Sequence, residues 1–245
     1  MSEPIPRILH FIWLKDSMHQ RGVPDWIQKN IDSFCEYHPD WSVRVHDDLP
    51  NDMPEDLRRG CMNAPMATDV SNLLRYWLLY RDGGIYLDAD NFCVRNFEPL
   101  RQYDFFFCGE PKCVYGGVMG CIPQSPYIKR IIDAVSPIVD VPCPRTTWGP
   151  KILTSLYRDG KLPGATMLPM NYFYWLRSKF VAPKVPGGTR SASLAFSQMD
   201  HDEQEEWMSR ASADFKRVPG CRPFSVHLWQ SPGSKSHNPL SEGKW

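Results

Sequence analysis

The sequence predicts an α/β fold with a Rossmann-like, mostly parallel central sheet flanked by helices, and three stretches predict it. Ile5 to Leu14, IPRILHFIWL, is β-branched and aromatic, is too short to span a bilayer and runs into polar residues, so it reads as a buried first strand. Pro24 to Tyr37 carries Trp26, Ile27, Ile31 and Phe34 at helical spacing, and Trp41 to His46 alternates as a second strand. Strand, helix and strand in this order form one half of a parallel sheet with helices on its faces. Ala67 to Phe92 then adds a helix, a Gly-Gly turn, an apolar strand and two aspartates without interruption.

That third stretch organises the chain. Thr68 and Asp69 are candidate N-caps, and Val70, Leu73, Leu74, Trp77 and Leu78 recur at three- and four-residue intervals, predicting an amphipathic helix that ends near Arg81. Gly83 and Gly84 supply the positive-φ positions that close a helix and turn the chain into the strand Ile85-Tyr86-Leu87. Asp88 and Asp90 therefore stand at the carboxyl end of a strand, the edge where open α/β sheets bind ligands. If the chain stays extended, both carboxylates lie on one side and Ala89 on the other.

Two carboxylates there suit a hard divalent cation, because Mg or Mn keeps oxygen ligands while bridging substrate phosphates. Asn72 and Arg75 lie three apart on the preceding helix, hence on one face, and are candidates to reach the same crevice. An isolated Asp-x-Asp is too short a pattern to separate this from a solvated loop; here it is embedded in LLRYWLLYRDGGIYLDAD.

SNLLRYWLLYRDGGIYLDAD resembles the DXD signature of the glycosyltransferase sugar-binding region family, which includes yeast α-mannosyltransferases, α-1,4-galactosyltransferases and capsular polysaccharide enzymes, with a related core in clostridial glucosylating toxins. The resemblance implies a GT-A type nucleotide-diphospho-sugar transferase fold, a UDP- or GDP-sugar donor, Mn2+ (or Mg2+), a glycan or other hydroxyl acceptor, and retention of anomeric configuration. It implies that Asp90 ligates the cation directly together with both phosphates, while Asp88 holds the ribose or sugar and a water of the cation's shell. The family has Asp where this chain has Asn72, three residues before Arg75, so donor contacts there are expected with altered geometry.

Other stretches extend the resemblance. LHFIW matches the family's opening strand, which makes Trp13 a candidate to stack on the nucleotide base, with core packing as the alternative. Asn51 to Pro65 reads as a short helix between loops, and Phe105 to Phe107 and Val114 to Cys121 as strands. Gly116 and Gly117 permit close backbone approach to a ligand or mark a bulge. Tyr127 to Val139 fits a following helix. TWGPKILT resembles a segment in which Thr, Gly and Pro open a helix beside the site, with Pro150 in its first turn; PMNYFYW matches an aromatic stretch more weakly. Pro183 to Ser193 reads as loop, Met199 to Ala211 as an acidic helix with a solvated face, and Phe224 to Trp229 as a short strand. A C-terminal His-x-Trp in related enzymes folds back on the site, so His227 is a candidate metal ligand and Trp229, Ser231 and Lys235 candidate diphosphate contacts. The usual Ser-Trp ending is replaced here by Ser231-Pro232.

Composition bounds the alternatives. Lys plus Arg equal Asp plus Glu at 28 each, so there is no basic field of the kind nucleic-acid binding requires. The 245 residues, 42% of them apolar, suit one core and a single domain over residues 1–245. No apolar run is long enough to span a bilayer and no signal peptide is recognised, so the expectation is a cytoplasmic protein without a transmembrane segment, with peripheral membrane contact left open. The eight cysteines form no Cys-x-x-Cys pair and read as free thiols, mostly packed as small hydrophobes. Asp47 and Asp48 read as a solvated turn.

The function expected is a retaining, metal-dependent hexosyltransferase with Asp88, Asp90 and Arg75 at its centre. The spacing marks no nucleophile for a double displacement, so same-face attack by the acceptor hydroxyl is the expectation. Three rivals stay open: a metal-dependent phosphohydrolase using Asp-x-Asp, although here the pair follows a helix and Gly-Gly and lacks a distal acidic pair; a catalytically silent sugar-nucleotide or glycan-binding module; and an α/β protein that binds another protein. Turnover of phosphomonoesters would mark the first rival, donor binding without turnover the second, and absence of donor binding the third.

Overall fold

The computed structural model describes residues 3–14, 23–140, 147–174, 203 and 223–227. Its framework is a six-stranded sheet built from β1 (Ile8–Ile12), β2 (Ser42–His46), β3 (Gly84–Leu87), β5 (Phe105–Glu110), β6 (Cys113–Cys121) and β7 (Thr166–Leu168), in the order β2-β1-β3-β6-β5-β7. Parallel pairing joins β2 to β1, β1 to β3 and β5 to β7, while β6 runs antiparallel to both its neighbours. Among these six strands β6 alone is reversed, so the sheet is mostly parallel and Rossmann-like, as the sequence predicts. A separate two-stranded ribbon pairs β4 (Asn91–Cys93) with β8 (Ser225–His227).

The helices are α1 (Asp25–Tyr37), α2 (Glu55–Asn63), α3 (Ala67–Asp82), α4 (Pro126–Val135) and α5 (Ile152–Arg158). Strand alternation explains how they cover both faces. On β3, Ile85 and Leu87 enter the core cluster shared with Ile27, Ile31 and Phe34 of α1, while Tyr86 enters the other, with Leu73, Leu74 and Leu78 of α3. Phe106 and Cys108 of β5 point to the α1 side, Phe105 and Phe107 to the α3 side. Burial on both faces is why these strands read as continuous apolar runs.

Several boundaries shift from expectation. The first strand is shorter than Ile5 to Leu14, and it lies one place in from the β2 edge. The helix expected from Thr68 or Asp69 begins at Ala67 after Met66, with no side-chain cap; Ser71 Oγ instead donates to the Ala67 carbonyl at 3.0 Å. The Gly-Gly turn forms as expected, with Gly83 at φ 64° and Gly84 at φ 89°. A Cβ on Gly84 would stand 2.7 Å from the Ile8 carbonyl oxygen, so this glycine also lets β3 dock beside β1. The Pro150 segment is not a regular first turn: Thr147–Lys151 is irregular around Gly149, and α5 opens after it.

The six described cysteines are free, with Cys61, Cys93, Cys108 and Cys121 buried; Cys143 and Cys221 lie outside the described residues. So do the Pro183 to Ser193 loop and, apart from Glu203, the expected acidic helix. Among the described residues no helix is long and apolar enough to cross a membrane.

Candidate active site

The site forms where β3 ends. Asp88 N–H donates to the Gly117 carbonyl at 2.8 Å, and the chain then turns, the Asn91 N–H and Nδ2 both donating to the Asp88 carbonyl at 3.0 and 2.9 Å. Asn30 Nδ2 of α1 holds the Ala89 carbonyl at 3.1 Å. The two carboxylates thus converge through a turn; the extended alternation expected from sequence does not continue past Leu87. Satisfying buried carbonyls with Asn30 and Asn91 fixes the turn without placing another charge beside it.

β8 brings the third member. It pairs antiparallel with β4 so that Asn91 faces His227, and Ser225 Oγ donates to Asn91 Oδ1 at 3.0 Å. His227 Nε2 lies 3.2 Å from Asp90 Oδ1 and 3.7 Å from Asp88 Oδ2. One ligand atom from each of Asp88, Asp90 and His227 falls within 4.8 Å of the others. Two carboxylates and an imidazole make a donor set that Mn2+ accepts well and Mg2+ tolerates, so the residues present fit the cation that the resemblance implies.

His227 and Asp88 are held by their surroundings. The His227 N–H donates to the Phe173 carbonyl at 2.9 Å, and the Tyr174 ring stacks on the imidazole with centroids 4.9 Å apart. Asp88 is anchored through Oδ1, which accepts the Tyr86 hydroxyl at 2.8 Å and lies 3.5 Å from Arg75 Nη1. Its Oδ2 remains toward His227. Burial works against the charged form of Asp88, but Arg75, His227 and Tyr86 together hold its carboxyl well below the usual carboxylate range. Burial raises the Tyr86 and Tyr174 hydroxyls well above the ordinary tyrosine value, so both stay protonated at neutral pH.

Arg75 is buried in the wall of the site. Its guanidinium donates to the Ser71 carbonyl at 2.9 Å and to the Gly116 carbonyl, and sits over the Tyr86 ring, 4.5 Å from its centroid. Asn72, one turn earlier and 8% exposed, packs beneath Gly149, whose Cβ, if present, would stand 2.5 Å from Asn72 Oδ1. Gly116 and Gly117 do permit close approach, and what approaches in this structure is protein: Arg75 against Gly116, and Asp88 with Tyr174 against Gly117. Trp13 is half-buried at the end of β1, its N–H donating to the His46 carbonyl at 2.9 Å and its ring packed against the α1-side core. Trp229, Ser231 and Lys235 lie outside the described residues.

The sequence reading missed Tyr86, Asn30, Asn91, Gly149 and Tyr174 as supports of the site. Asn91 directly follows the aspartate pair, which is a usable signal for a turn, and Tyr86 stands two residues before Asp88 on the same side of the strand; Asn30 and Tyr174 act across distances that no local pattern encodes.

This geometry defines a class: an α/β protein with an Asp-Asp-His cluster able to hold a cation at the carboxyl edge of a mostly parallel sheet. Residues 24–106 match the family described as glycosyltransferase sugar-binding region containing DXD motif. It is similar to inositol phosphoceramide mannosyltransferase 3 of Schizosaccharomyces pombe, 28% identical over 138 residues, covering 54% of this chain and 37% of that protein. It is also similar to a mannosyl phosphorylinositol ceramide synthase of Saccharomyces cerevisiae, 24% identical over 137 residues, covering 54% of this chain and 35% of the relative. The chain thus matches well under half the length of these relatives. Among solved structures it is similar to the PaToxG glycosyltransferase, with a TM-score of 0.49 at 18% identity over 64% of this chain and 70% of that one.

Proposed function

We propose that this protein is a metal-dependent, retaining glycosyltransferase that moves a sugar from a UDP- or GDP-sugar to a hydroxyl acceptor. The observation that carries the reading is the convergence of Asp88, Asp90 and His227 at the strand edge, inside a region matching the DXD sugar-binding family. Asp90, Asp88 and His227 would hold the cation. When bound, Mn2+ or Mg2+ supplies positive charge against which the diphosphate departs.

The chain's own residues prepare that step. Arg75 and Tyr86 fix Asp88 through one oxygen and leave the other facing the cation site, so the carboxylate is oriented before any ligand arrives. Because Asp88 stays ionised to low pH, the site keeps its negative charge across the physiological range. Tyr174 stacks on the imidazole of His227, and the Phe173 carbonyl holds its backbone N–H. Asn72 and Arg75 form the wall from which sugar hydroxyls would be contacted, and Trp13 lies at the end of β1, where it would meet the base. The acceptor hydroxyl attacks from the face the leaving group occupies.

The names of the relatives describe mannosyl transfer onto inositol phosphoceramides, which makes a mannosyl donor the first to try. The test is a thermal-shift screen of UDP- and GDP-sugars with and without Mn2+, because a ligand that binds only the native state raises its apparent stability; a ligand at 100 times its Kd adds about 2.7 kcal/mol. A cation-dependent shift with at least one nucleotide sugar is expected. No shift with any of them, in the presence of Mn2+ or Mg2+, would overturn the reading.

A further inference from the structure

Separate from the carboxylate site, a groove of about 520 Å³ opens between the β5–β6 hairpin and one face of α5. Lys112 stands on the hairpin, and Lys151, Ser155 and Arg158 follow at four- and three-residue intervals, so they share one face of the helix that begins beside Lys151. The two walls are joined by Thr154, whose Oγ1 accepts the Val114 N–H at 2.9 Å and donates to the Pro150 carbonyl at 2.6 Å. The spacing between hairpin and helix is therefore set by the fold before anything binds.

Several cations elsewhere have a carboxylate partner: Arg7 with Glu98, Arg59 with Asp140, Arg81 with Asp52 and Lys129 with Asp133. Among the described residues Lys112, Lys151 and Arg158 make no side-chain hydrogen bond or ion pair, although all three line one groove. The single carboxylate there, Asp159, accepts the Ser155 hydroxyl at 3.2 Å. Three like charges held around one concavity repel each other and are relieved by an anion, with Arg able to grip two oxygens and Lys acting as a point charge.

The groove's place in the sheet relates it to the site. β6 runs opposite to β3, with Leu87 facing Val118, so the residues before Gly117 project past the end of β3 on the side of Asp88. Cys113, in the groove wall, lies four residues before Gly117, about 13 Å along a strand.

We propose that this groove is a second subsite that binds a phosphate ester borne by the acceptor, holding it while a hydroxyl of the same molecule reaches the donor. The proposal rests on the transferase reading above. It is tested by titrating glycerol phosphate and inorganic phosphate into the protein by calorimetry, and by co-sedimentation with phosphatidylcholine vesicles with and without phosphatidylinositol. The comparison is with a Lys112→Gln/Lys151→Gln/Arg158→Gln variant, whose substitutions are all exposed and should perturb stability little. The wild type should bind at least one phosphate ester, more weakly as salt rises, and the triple variant should lose at least tenfold in affinity. Binding to phosphatidylinositol vesicles alone would support a lipid-borne ester; binding of glycerol phosphate would support a soluble one. Absence of binding to every probe, or equal binding by the triple variant, would overturn the proposal. Donor hydrolysis by the wild type, read separately, reports on the transferase reading, so the two failures are distinguishable.

Discussion

Replacing Gly117 by alanine adds one methyl at the point where the cation site is most tightly enclosed. The new Cβ would stand 3.1 Å from Asp88 Cγ and lie inside contact distance of Asp88 Oδ2 and of the Tyr174 hydroxyl. Ordinary carbon contacts are about 3.5 to 4.0 Å, so the carboxylate must retreat by roughly half an ångström to one ångström. It cannot do so freely, because Tyr86 and Arg75 hold its other oxygen. A displacement near 1 Å in a catalytic constellation costs about 100-fold in rate, or about 2.7 kcal/mol of transition-state stabilisation, and overpacking costs about 1 to 3 kcal/mol of stability. The internal control is Gly116→Ala, whose Cβ would stand 3.1 Å from Arg75 Nη1 and 3.2 Å from Leu153 Cδ1 and would press on Asp88 only through Arg75. The assay is Mn2+ titration and donor hydrolysis for both variants, with urea unfolding to separate stability from function. Gly117→Ala should lose cation affinity and turnover well beyond its loss of stability, and Gly116→Ala should keep both more nearly intact. Wild-type cation affinity and turnover in Gly117→Ala would refute the placement of Asp88 in the site.

Other perturbations follow from the same geometry. His227→Ala should weaken Mn2+ binding by at least tenfold with the fold retained, and an unchanged titration would assign His227 to packing. Asn72→Leu should abolish donor turnover and Asn72→Asp should re-rank the nucleotide sugars it accepts, since hydrogen bonds to a charged group contribute about 1.5 to 3 kcal/mol against about 1 for neutral ones; identical behaviour of all three proteins would show that Asn72 does not face the donor. His10 lies buried with Nε2 donating to the Gly83 carbonyl at 2.9 Å, which leaves Nδ1 to accept the His46 Nε2–H at 3.0 Å. Burial, then the neighbouring His46, lowers the His10 pKa to about 4. The unfolded chain therefore takes up the proton first, so stability present above about pH 6.5 should decline by about 3 kcal/mol as the pH falls toward 4. Urea unfolding across that range measures it, and a flat profile would refute the neutral-pair assignment.

Much of the frame was legible because its signals are local. The apolar spacing from Val70 to Leu78, the glycines at 83 and 84, and the run Ile85 to Leu87 each dictate backbone geometry within a few residues, and helix, turn and strand formed where those rules place them. The exit from β3 differs from expectation because the extended alternation stops at Leu87 and does not run on to Asp90; Asn91 closes the turn by capturing the Asp88 carbonyl. β4 and β7 escaped notice because three-residue strands show too little periodicity to detect. The site's third ligand comes from 225–227, where Ser225 meets Asn91 across 134 residues of chain. Only the resemblance pointed to His227. Nothing in the sequence spacing brings Tyr174 onto its ring or Gly149 onto Asn72, since both depend on how the segments after β6 pack back over α3 and β8.

The most direct measurement of the central claim is donor hydrolysis and transfer by the wild type and Asp90→Ala across a Mn2+ titration, with the fold of both checked by thermal unfolding. Asp90 lies 3.2 Å from His227 in the cluster and takes no part in the apolar core. The expected result is wild-type turnover that rises with Mn2+ and stops on chelation, and an Asp90→Ala protein that folds but neither binds donor in a cation-dependent way nor turns it over. Turnover by Asp90→Ala at the wild-type rate in the presence of Mn2+ would contradict the assignment of this strand-edge pair as the catalytic metal site.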